Sequence, residues 1–78
     1  MTASPELCDE LAIADRAVTE GHERIARQAE VVCELDAEGH DTTDAKNLLR
    51  VMQQSLDAMS AHRQQIVREL ASAQGEEP

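Results

Sequence analysis

The stretch EGHDTTDAKNLL, running from Glu38 to Leu49, decides how this chain folds. Gly39 supplies a residue that takes the left-handed backbone conformation at little cost and so ends a helix, and His40 can fold back on Leu35. Asp41 or Thr42 can then cap the free amides of a following helix, with Asp44 in its first turn to complement the dipole. Gly39, His40, Asp41 and Thr42 thus read as a hard stop and an immediate restart, the tight connection of a helix-to-helix hairpin.

Upstream of the turn, Ser4 can cap a helix whose first position suits Pro5 and whose first turn carries Glu6. From there Leu7, Leu11, Ala14, Val18, Gly21, Ile25, Gln28, Val32 and Leu35 recur at alternating spacings of four and three, the pattern of a heptad seam. Downstream, Ala45, Leu49, Met52, Leu56, Met59, Arg63, Ile66, Leu70 and Ala73 repeat that rhythm. The expected organisation is a tail over 1–4, a hairpin over 5–74 (helix 5–38, turn 39–41, helix 42–74) and an acidic tail over 75–78. The fold class is all-α, an antiparallel two-helix hairpin of coiled-coil type.

Folding the two helices antiparallel about the turn suggests one alignment for the whole seam. It sets Leu35 against Leu49, Val32 against Met52, Gln28 against Leu56, Ile25 against Met59, Gly21 against Arg63, Val18 against Ile66 and Ala14 against Leu70. Small residues then oppose large ones, as interdigitating layers require. Gly21 would be the close-packing point beneath Arg63, whose charged end would reach water or an acid such as Glu20.

The chain has 78 residues and no Phe, Tyr or Trp, so its core must be built from small aliphatic side chains. One seam of this kind is thin for an independent domain, and a partner is expected. Apolar residues beside the seam mark where it would dock: Ala17, Val31 and Leu48 widen one flank, Ala29 and Val67 the other. A symmetric homodimer forming a four-helix bundle is the expected product.

Seven Lys and Arg stand against 16 Asp and Glu, a formal net charge of −9, and that field repels nucleic-acid phosphates. An acidic polar face also disfavours a membrane-surface helix, and no apolar run is long enough to span a bilayer. With no basic and apolar leader segment the expected compartment is the cytoplasm. Cys8 and Cys33 fall on one helix about 37 Å apart at 1.5 Å per residue, too far to bridge within a chain. They read as free thiols, and Cys33 lies between Glu30 and Glu34, neighbours that disfavour a nucleophile.

Chemistry-bearing motifs are sparse, so no enzyme activity and no cofactor is expected. The residues three before His22, His40 and His62 are Thr19, Ala37 and Met59, not the Glu that a carboxylate di-metal bundle requires. His22 and His62 fall on opposite flanks of the seam, so a metal shared within one chain is disfavoured, whereas a dimer could bring such groups together across its interface. Phosphate loops, zinc spacings and calcium loops are absent. GHERIARQ, from Gly21, places His22 beside Glu23 on a long helix, an arrangement similar to two-component phosphotransfer domains. That similarity makes His22 a candidate phosphoacceptor in an alternative signalling role, without the Thr-Pro segment of kinase dimerisation domains. A further alternative is an acidic regulator that covers a basic surface.

GHERIARQ, LDAEGHDTTDAKNLL and SLDAMSAHRQQIVREL together resemble a group of short bacterial proteins frequent in alphaproteobacterial genomes. The shared features are Gly21, Ile25 and Gln28, the Gly39-His40-Asp41-Thr42 turn, and the closing pair His62-Arg63, over about Thr19 to Leu70. The resemblance implies a compact helical protein and lends no catalytic residue. The reading that follows is a protein that self-associates and acts by binding another protein.

Overall fold

A computed structural model describes residues 5–73; the expected Ser4 cap and both expected tails lie outside the described residues. Two helices account for nearly all of it, α1 over Pro5–Ala37 and α2 over Thr43–Ala73. They pack side by side, and Gln28 near Ala45 with Asp15 near Arg63 shows that they run antiparallel. The hairpin measures 59 × 20 × 15 Å. α1 continues without interruption through Gly21.

The turn closes by local hydrogen bonding. Gly39 takes φ 77°, where a side chain would be strained, and the His40 amide donates to Leu35 O at 2.9 Å while the Gly39 amide donates to Asp36 O at 3.1 Å. These two bonds satisfy carbonyls that the end of α1 would otherwise leave open. α2 then starts from Thr42, whose carbonyl accepts the Lys46 amide at 2.9 Å. Asp41 Oδ1 accepts both the Thr43 amide at 2.9 Å and the Thr43 hydroxyl at 2.7 Å. Those two donors, the hydroxyl first, hold the Asp41 carboxyl below its ordinary range.

Every seam position from Leu7 to Leu35 and from Ala45 to Ala73 is buried or half-buried. Ala14, Leu56 and Ile66 form the deepest part, with Ile66 only 2% exposed. No buried side-chain nitrogen or oxygen among the described residues lacks a partner. Seam membership therefore follows the heptad spacing.

The alignment does not. A Cβ added at Gly21 would stand 3.0 Å from Leu56 Cδ1 and 3.2 Å from Met59 Cε, so glycine there makes the seat for Leu56 and not for Arg63. Arg63 instead stands two layers farther from the turn, at the level of Ala14, where its Nε donates to Asp15 Oδ1, and Glu20 pairs with Arg24 on its own helix at 3.7 Å. Gln28 likewise reaches back to the first turn of α2, its amide donating to Ala45 O at 2.9 Å. The facing layers are shifted by one heptad, setting Ile25 level with Met52, Val18 with Met59 and Leu11 with Ile66.

The reason is the turn. A heptad seam mates almost equally well after a slide of one repeat, so layer matching does not choose between the two alignments. In the expected alignment, Thr43 would begin about 6 Å beyond the end of α1 at 1.5 Å per residue. In the observed one it begins about 4.5 Å short of that end on the same rise. Backbone closure from His40 to Leu35 folds the chain back at once, which favours the second geometry.

Candidate functional site

Two positions in each heptad lie on either side of the seam, and they give the hairpin two long faces. Along α1 the first face takes Glu10, Ile13, Ala17, Glu20, Arg24 and Val31, which are related by steps of three, four and seven. Along α2 the same steps collect Leu48, Val51, Ser55, Ala58 and His62. Among the described residues four large apolar side chains stand in solvent, Ile13 at 67% exposure, Val31 at 41%, Leu48 at 51% and Val51 at 53%, and all four belong to this face.

The face is also indented. A groove of about 460 Å³ opens toward the end of the hairpin remote from the turn, between Ile13, Ala14 and Ala17 on α1 and Ala58, Met59 and His62 on α2. Glu10 and Ser55 complete its rim. A smaller hollow of about 60 Å³ follows it along the face, lined by Gly21, Arg24, Met52, Ser55 and Met59. Small residues cause both hollows: Ala14, Ala17, Gly21, Ser55 and Ala58 leave the seam methionines uncovered from the side.

The second face differs. Its apolar members Ala29 and Val67 are half-buried, and Asp15 closes over it to reach Arg63. Both cysteines are exposed and free, Cys8 on this side and Cys33 toward the back of α1. His22 is exposed on the second face and His62 on the first, so the chain does not bring them together. His40 stands 4.0 Å from Glu38 at the turn. Among the described residues no three His, Cys, Asp or Glu side chains converge as a metal site would need.

Of the residues expected beside the seam, Ala17, Val31 and Leu48 lie on the first face, where Val31 and Leu48 are exposed, and Ala29 and Val67 lie half-buried on the second. Ile13 and Val51 extend the first set and were missed by following the seam alone. Their signal is present in the sequence: Ile13 precedes Ala17 by four and Val51 follows Leu48 by three, the neighbour spacings of a helix. Among the described residues no helix is long and apolar enough to cross a membrane. No known protein family, no curated protein and no solved structure matches the chain.

Proposed function

We propose that this chain is a non-enzymatic binding protein that self-associates into a homodimeric four-helix bundle through its first face and acts through protein-protein contact. The observation that carries the reading is the confinement of Ile13, Val31, Leu48 and Val51, with both hollows, to one side of the hairpin. Exposed apolar residues scattered singly are ordinary, but a file of them along one side of a rod whose own core is thin marks a surface meant to be covered. Free thiols at Cys8 and Cys33 fit a reducing cytoplasm.

Light scattering provides the test. The expected mass is twice the 8.6 kDa of one chain, and a folded monomer at micromolar concentration would sink the proposal. Salt separates self-association from capture by a basic partner. Two chains of charge −9 repel each other, so added salt should tighten the dimer, whereas a complex with a basic protein should weaken.

A further inference from the structure

The first face is unequal along its length. Val31, Leu48 and Val51 project near the turn, while the 460 Å³ groove lies toward the opposite end. The Gly21–Leu56 contact fixes the levels of the two helices, and on that scale Ser55 stands midway between the projecting cluster and the groove. Ser55 lines both hollows, so the midpoint of the face is itself small and open.

A two-fold axis through that midpoint, perpendicular to the hairpin, turns one end of the face onto the other. Val31 then arrives level with Ile13 of the second copy, Leu48 with its His62, and Val51 with its Met59 and Ala58. The projecting cluster of each copy fills the groove of the other, its apolar side chains set mainly against Ile13, Ala17, Ala58 and Met59, with His62 beside Leu48. Beside the axis the same rotation sets Arg24 level with Glu20 of the other copy. These two now pair only loosely within their own chain, at 3.7 Å with both side chains about half exposed, so their charges remain free to cross. The available face, 59 by 20 Å, exceeds the roughly 800 Å² per partner that a specific interface buries.

We infer that the occupant of the groove is the turn end of a second copy of this chain, docked antiparallel, with Val31, Leu48 and Val51 of each seated on Ile13, Ala17, Met59 and His62 of the other. This rests on the homodimer reading and adds to it an orientation and a contact set. A parallel dimer would lay α1 of one copy over α2 of the other, set Val31 only level with Val31 of the other copy, and leave both grooves opposite each other. The antiparallel arrangement brings Glu10 level with Glu34 of the other copy at each rim, an exposed like-charge contact consistent with association that salt strengthens.

Crosslinking separates the orientations. Cys8→Ser and Cys33→Ser remove the native thiols, and Ile13→Cys and Val31→Cys are introduced into separate chains, mixed, unfolded and refolded together, then treated with a short bis-maleimide. Positions 13 and 31 lie about 27 Å apart within a chain at 1.5 Å per residue, so like positions meet only in a parallel dimer and unlike positions only in an antiparallel one. The expected result is a covalent dimer from the mixture and almost none from either chain alone. Efficient crosslinking of either chain alone would overturn the orientation and leave the homodimer standing. A dimeric mass without crosslinks in any combination would move the interface to another face and overturn the inference. A monomeric mass for the unaltered chain would remove both readings. Ala17→Cys mixed with Val51→Cys gives an independent pair should either first variant lose its helix content.

Discussion

The two long faces of this hairpin share one seam and one turn, yet they end in opposite conditions. On the second face Asp15 reaches Arg63, and the apolar Ala29 and Val67 are half-buried. On the first, Ile13, Val31, Leu48 and Val51 stand in solvent beside a groove that small residues leave unfilled. A two-helix fold has only one seam to bury, and what lies beside it is either closed by polar contacts or left for another surface.

The contrast can be broken first at its base. Leu56→Asp would set a carboxylate against Gly21 inside the seam, among apolar side chains. Such an unpaired charge costs more than about 4 kcal/mol. Circular dichroism should report loss of the helices at 25 °C; retained helix content would show that the seam is not what holds the fold.

A sharper cut compares the faces directly. Leu48→Asp on the first face should lower the mass by light scattering from dimer toward monomer and lower the melting temperature, whereas Gln64→Asp, exposed on the other side, should leave both unchanged. Equal effects of the two substitutions would erase the distinction between the faces.

Gly39→Ala acts on the turn that both faces share. With φ at 77° an alanine is strained, and the cost should be about 1–2 kcal/mol in denaturant melts, without a change of subunit number. The smallest effect belongs to Asp41. Its carboxyl is held below the ordinary value of about 3.9, so its contribution is fully present above that pH and is lost as pH falls through the lowered value. The difference in melting temperature between the unaltered chain and Asp41→Ala should be constant above about pH 5 and narrow below about pH 4. A difference that grows on acidification would contradict the hydrogen bonds from Thr43.

Much of this was legible before any coordinate. Gly39 followed by Asp41, Thr42 and Thr43 specifies a stop and a restart through rules that involve only neighbouring backbone, and α1 ends and α2 begins within one residue of the expected turn. Seam membership was equally legible, because the alternation of three and four depends on the pitch of the helix and on nothing beyond it. The candidate face was half legible. Ala17, Val31 and Leu48 were visible as a widening of the seam, while Ile13 and Val51, one position farther around, show their role only when the partner helix is seen to leave them uncovered.

What the amino-acid order determined by itself is thus the set of inward positions and the place of reversal, since both are fixed by interactions within a turn of helix. What only the tertiary structure decided is the mating of the two helices, with Leu56 rather than Arg63 on Gly21, and from that mating which face keeps an open groove. A repeating seam is indifferent to a slide of one heptad, and the choice falls to closure of the backbone at the turn, a condition that no count of matching layers contains.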